Sequence, residues 1–195
     1  MDTHSKPQIF MIAGPNGAGK TTSAMYLLPN IIHCKEYINA DAIASGLSPF
    51  NTAKMAIQAG RIMLERIHQL AHQKQDFAFE TTGASKSFLP FLVACKNSGY
   101  EVNLLYLWLK SPKLALERVA SRVKKGGHDI PTDTVVRRYK SGLQNILNLY
   151  LPQMNTWFFY DNSEDQPIKV AENNEHSGLL IHDKLTWKKC LEAAK

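Results

Sequence analysis

The chain is poor in cysteine and has no long hydrophobic run. Among its 195 residues only Cys34, Cys95 and Cys190 occur, scattered and without a C-x-x-C. That pattern excludes a disulfide framework and a cysteine-built zinc cluster. It predicts reduced, buried thiols in a cytoplasmic protein. No apolar run approaches the roughly 20 residues needed to span a bilayer. The N-terminal stretch Met1–Gln8 is polar and lacks the apolar segment of a secretory signal, so no membrane association is expected. Internal repeats, low-complexity tracts and linkers are also missing. A content of 44% hydrophobic and 21% charged residues is ordinary for a globular protein, and the length suits one domain over residues 1–195. Charge is unbalanced: the net value is +6, and nine Lys and Arg residues fall between Lys110 and Lys140. Such a field suits a polyanion. No basic stripe interleaved with aromatic residues accompanies it, which argues against nucleic acid as the partner.

What is present is an alternation of short apolar runs and helical periodicity. Strands are expected at Gln8–Ala13, Glu36–Asn39, Phe77–Glu80, Glu101–Leu109 and Thr156–Tyr160. Helices are expected at Thr21–Leu28, Thr52–Gln73, Ser87–Asn97, Pro112–Lys125, Pro131–Tyr150 and Lys184–Ala194. The order predicts an α/β fold with a doubly wound, mostly parallel sheet. Val102–Leu109 is almost wholly apolar and reads as a strand buried on both faces. The tail, Pro167 to Asp183, reads as two short strands joined at Asn173–Gly178, an antiparallel hairpin at the sheet edge.

Between the first strand and first helix stands G-P-N-G-A-G-K-T-T: Gly14, Pro15, Asn16, Gly17, Ala18, Gly19, Lys20, Thr21 and Thr22. The octet Gly14–Thr21 satisfies G-x-x-x-x-G-K-[ST] at every fixed position. Glycines let the backbone curl so that successive N–H groups face phosphate oxygens. Lys20 brings a point charge to the β- and γ-phosphates, and Thr21 offers a hydroxyl to Mg²⁺. A strand, a Gly-rich turn and a helix N-terminus together form an anion site. ATP and Mg²⁺ are the expected ligands.

Ligands of such sheets bind beyond the carboxyl ends of the strands. After the second strand, Asp41 either accepts a proton from a substrate hydroxyl or caps the helix that follows. After the third, Glu80 acts on Mg²⁺ or its waters, orients a substrate hydroxyl, or caps the helix that follows, beside the small polar wall Thr81-Thr82-Gly83. Beyond the fourth strand, residues 110–142 form a helix, a glycine loop and a second helix. Arg118 and Arg122 share one helical face, and Arg137 and Arg138 fall away from the apolar face of the next helix. The segment reads as a helical lid whose cations neutralise a phosphoryl group in transfer and exclude water. His68 and His72, four apart, lack a third ligand and read as an exposed helix face. His128 sits in the glycine loop.

The strings D-x-x-G and N-K-x-D are absent, as is an L-S-G-G-Q-like signature, which excludes a regulatory GTPase and a transporter ATPase. A phosphate turn, an acid beside the acceptor and cations above remain, the parts list of a small-molecule kinase. The alternative is a low-turnover ATP-binding switch whose basic face meets nucleic acid or a protein.

The motifs G-P-N-G-A-G-K-T-T, N-A-D-A-I-A (Asn39–Ala44), F-E-T-T-G (Phe79–Gly83) and G-G-H-D-I-P with R-R-Y (Gly126–Ser141) resemble the zeta-toxin family, its short stand-alone members above all. The likeness runs from Gln8 to Ser163. It implies a P-loop, nucleotide-kinase-like fold that uses ATP·Mg²⁺ to phosphorylate a hydroxyl of UDP-N-acetylglucosamine, and a possible antitoxin partner. It implies Lys20 and Thr21 as phosphate and Mg²⁺ ligands, Asp41 as general base, and Glu80 and Thr82 as sugar contacts. Arg122 and Arg137 or Arg138 would meet the γ-phosphate. Two features depart from the toxins. Thr81 stands where they carry Gly, and Lys86 is the nearest cation where they place an Arg. The chain is also shorter.

Overall fold

The first strand lies at the centre of the five parallel strands. The computed structural model describes residues 6–127 and 129–195. In chain order the elements are β1 (Gln8–Ala13), α1 (Lys20–Leu27), β2 (Tyr37–Ile38), α2 (Ala40–Leu47), α3 (Thr52–His72), β3 (Phe77–Thr81) and α4 (Phe88–Asn97). There follow β4 (Glu101–Trp108), α5 (Pro112–Lys124), α6 (Thr132–Asn145), β5 (Thr156–Asp161), β6 (Ile168–Asn174), β7 (Gly178–Ile181) and α7 (Lys184–Ala193). The seven strands form one sheet in the order β2-β3-β1-β4-β5-β6-β7. The first five are parallel, and β6 and β7 close the far edge as an antiparallel hairpin. β1 pairs with both β3 and β4, so Ala13 stands level with Thr81 and Tyr106. The tips of the central strands therefore end together, and the turns after β1 and β3 become neighbours.

Alternation along the strands sends Ile9, Met11, Phe77, Phe79, Leu104, Tyr106, Trp157 and Phe159 to one face. There α3 buries Met63, Ile67 and Leu70, and α7 buries Trp187 and Cys190. Trp187 stacks on Trp157 with ring centres 5.8 Å apart. α1 covers the other face through Ala24, joined by Leu28 of the turn that follows it, against Ile12 and Ala78. A third cluster joins Ala18 of the phosphate turn to Ala115 and Val119 of α5 and to Val135 and Tyr139 of α6. The Tyr139 hydroxyl donates to the Leu109 carbonyl at 2.6 Å. No helix among the described residues is long and apolar enough to cross a membrane.

Two expectations are corrected in detail. β4 is not sealed on both sides: Asn103 and Leu105 are half-buried and face a groove of about 630 Å³, shared with Phe10, Phe158 and Tyr160. The α1 side of β4 and β5 lacks a full helical cover, which an apolar run cannot reveal. The helix expected over Pro131–Tyr150 is α-helical only to Asn145, then widens into a π turn over Ile146–Tyr150 and a 3₁₀ turn over Leu151–Gln153. The widening occurs where side chains bond to a neighbouring loop. Asn145 Nδ2 donates to the carbonyls of Gly83 (3.1 Å) and Ala84 (2.9 Å), and the Tyr150 hydroxyl donates to that of Ser85 (2.6 Å).

Candidate active site

The phosphate turn is held from three sides. Gly17 and Gly19 both take φ of 80°, left-handed backbone that suits glycine. At Gly19 an added Cβ would lie 2.9 Å from Asn162 Nδ2, so that amide would have to shift. That amide donates to the Ala18 carbonyl at 2.8 Å. Arg118 in turn donates to the carbonyls of Asn162 (2.7 Å) and Ser163 (3.0 Å). Arg118 thus spends its guanidinium on the loop after β5, although it shares a helix with Arg122. Its sequence spacing gave no sign of this division.

Lys20 opens α1 and is buried, with Nζ donating to the Pro15 carbonyl at 3.0 Å and lying 3.7 Å from Glu80 Oε1. Burial pushes the Lys20 pKa down. The Glu80 and Asp41 carboxylates pull it back up, and the Arg122 guanidinium adds to the lowering. Residues from α2, β3 and α5 therefore act electrostatically on one ammonium group, which a phosphate would stabilise in its charged form.

Glu80 ends the apolar run of β3 with its side chain 11% exposed. Its Oε2 accepts from Thr21 Oγ1 (2.8 Å), the Tyr37 hydroxyl (2.5 Å) and Asn39 Nδ2 (2.9 Å). The Tyr37 pKa is pushed up by burial first and by the Glu80 charge second, so the phenol stays a donor. Thr21 and Glu80 together present hard oxygen ligands beside the phosphate turn, the donor type Mg²⁺ selects. The residues present fit that ion.

Asp41 is the second residue of α2 and is exposed. It does not cap the helix. Asn39 does, with Oδ1 accepting from the N–H groups of Asp41 (2.8 Å) and Ala42 (3.2 Å). The carboxylate of Asp41 is thereby left to solvent and to the site. Asn is as good a cap as Asp, so the signal was present two positions earlier in the motif.

Thr82 is half-buried in the turn after β3, close under α6. A Cβ at Gly142 would lie 2.6 Å from the Thr82 carbonyl. Arg138, Gly142 and Asn145 recur at helical spacing, so half-buried Arg138 shares the stripe that faces this turn, while Arg137 is exposed. Arg122 is half-buried on α5. His68 is exposed and packs edge-on against Phe91 at 4.7 Å, and His72 is exposed. His128 lies outside the described residues.

A five-stranded parallel core in the order 2-3-1-4-5, a lysine-bearing turn after the central strand and acids at the next two tips define a P-loop protein of the kinase class. The chain belongs to the Zeta toxin family, whose model matches residues 1–164. An uncharacterized protein of Haemophilus influenzae is 32% identical over 126 residues, 65% of this chain and 88% of that one. A chain of the AvrRxo1-ORF1:AvrRxo1-ORF2 crystal structure superposes with a TM-score of 0.78 at 14% identity. The match takes in 96% of this chain but 64% of that one, and the complex has also been solved with ATP. A chain of the PezAT chromosomal toxin–antitoxin system of Streptococcus pneumoniae matches at 0.64 and 14% identity, covering 99% of this chain and 86% of its own. Residues 165–195, with β6, β7 and α7, lie beyond the family match.

Proposed function

We propose that this protein is an ATP-dependent kinase of a small hydroxyl-bearing acceptor of the UDP-N-acetyl amino sugar type. The observation that carries the reading is the convergence of Glu80, Asp41 and Arg122 on Lys20 beside a phosphate turn. Family membership and the ATP-bound form of the AvrRxo1 complex support it.

The backbone of Gly14–Thr22 cradles the triphosphate, and Lys20 pairs with its terminal oxygens. Thr21 would hold Mg²⁺ and Glu80 would act on the ion or its waters, and the ion would offset the charge of the transferring phosphoryl group. The three hydrogen bonds on Glu80 Oε2 favour this metal-side role over the direct sugar contact that the resemblance implies. Asp41 accepts the proton of the acceptor hydroxyl as its oxygen attacks the γ-phosphorus, and ADP leaves. Thr82 and Arg138 serve the acceptor side and Arg122 the γ-phosphate side, while Arg137 is the weaker candidate because it is exposed. The lid, residues 110–142, is anchored through α5 and α6. ATP as phosphoryl donor implies work in the cytoplasm. A protein partner acting as an antitoxin fits the same reading, because the AvrRxo1 and PezT-type relatives were solved as two-component systems.

Incubation with ATP·Mg²⁺ and a panel of UDP-sugars, followed by mass spectrometry, tests the proposal. A new phosphorylated sugar nucleotide is expected, reduced by about 10²–10⁴ in Asp41→Asn. Release of free phosphate alone, insensitive to that substitution, overturns the kinase reading.

A further inference from the structure

We propose that Asn39 and Tyr37 are positioning residues that lock the two acids of the site to each other, one on the nucleotide side and one on the acceptor side. This rests on the kinase reading for the roles of the acids, but the lock itself is a matter of hydrogen bonds.

The side-chain amide of Asn39 is buried and used at both ends. Its oxygen receives the N–H groups of Asp41 and Ala42 and so fixes the first turn of α2, on which Asp41 rides. Its nitrogen donates to Glu80 Oε2 at 2.9 Å. The amide has one workable orientation: reversed, it would set its oxygen against a carboxylate and its NH₂ against two N–H donors. Tyr37 adds the shortest bond to the same oxygen, 2.5 Å, and lies within 3.3 Å of Asn39 Nδ2. With Thr21 as third donor, Oε2 is saturated. Oε1 is the oxygen turned toward Lys20, 3.7 Å away. The two-residue strand β2 exists at this height because Tyr37 and Ile38 pair with Ala78 and Phe79. That pairing brings the phenol and the amide level with the carboxylate at the tip of β3.

The test reads nucleotide binding, not turnover. Titration calorimetry with a non-hydrolysable ATP analogue gives the affinity in Mg²⁺ and in EDTA, and their ratio is the Mg²⁺ enhancement. Asn39→Asp keeps the helix cap but sets a second carboxylate against Glu80, and Tyr37→Phe removes only the phenol oxygen. The enhancement is expected to fall about tenfold in Asn39→Asp and severalfold in Tyr37→Phe. In Tyr37→Phe, which changes no charge, the affinity in EDTA should stay within about twofold and the melting temperature within a few degrees. An unchanged enhancement in folded Tyr37→Phe overturns the proposal, as does an equal loss of affinity with and without Mg²⁺. Because no product is measured, failure of the sugar-kinase reading leaves this result standing, and the reverse also holds.

Discussion

Lys20 sits between two acids and a guanidinium, with burial working against its charge. Such a group is costly to maintain alone, so the turn is built to receive an anion. The cysteines show the opposite use of burial. Cys34 is pushed up to about 11 and Cys190 to about 12, in both cases by loss of water first, and Cys95 is raised for the same reason. Since the thiolate is the reactive form, only about one part in a thousand of Cys34 is ionised at pH 8. A colourless dithiobenzoate assay at pH 8 is the expected native result, with all three thiols reacting once the protein is unfolded. Fast native labelling would contradict the burial. At this scale the sequence was legible where chemistry is local. The octet and the acids at the strand tips could be named from residue type alone. The grip on Glu80 could not, because Tyr37 and Glu80 are 43 residues apart and meet only through sheet register. Arg118 was grouped with Arg122 for the same reason: helical spacing reports a shared face, not what the face meets.

Among the elements, α6 packs directly on the turn after β3. Its Gly142 lets the helix approach the backbone of Thr82 closely, and Asn145 secures the next two carbonyls. Gly142→Ala improves intrinsic helix propensity by up to about 1 kcal/mol. The methyl meets the Thr82 carbonyl, however, and overpacking against backbone costs about 1–3 kcal/mol. Net destabilisation in urea denaturation is expected, and a stabilised variant would show that the turn yields freely. Element existence was readable from periodicity, and β1, α3 and β4 fall within a residue of the expected bounds. Where α6 gives way to the π turn was not readable. That change depends on contacts from Asn145 and Tyr150 to a loop some 60 residues earlier.

For the whole molecule, the C-terminal segment is structural as well as terminal. α7 brings Trp187 onto Trp157 and edge-on to Phe159 at 5.3 Å, and Cys190 is fully buried. Trp187→Ala is expected to cost about 3–5 kcal/mol, read as a lower midpoint in chemical denaturation with the nucleotide site otherwise intact. A loss below 1 kcal/mol would mean that α7 is not part of the core. The parallel order of the sheet followed from the alternation of strands and helices, whereas the incomplete cover over β4 and β5 did not.

The central position of β1 also sets when function can begin during synthesis. The strand is made first, but its partners β3 and β4 end at Thr81 and Trp108. The amide that braces the turn, Asn162, comes later still. Non-local pairing of this kind delays folding until the distant segments are available. A chain that ends before Asn162 therefore carries the whole octet without the amide that braces it from the loop after β5.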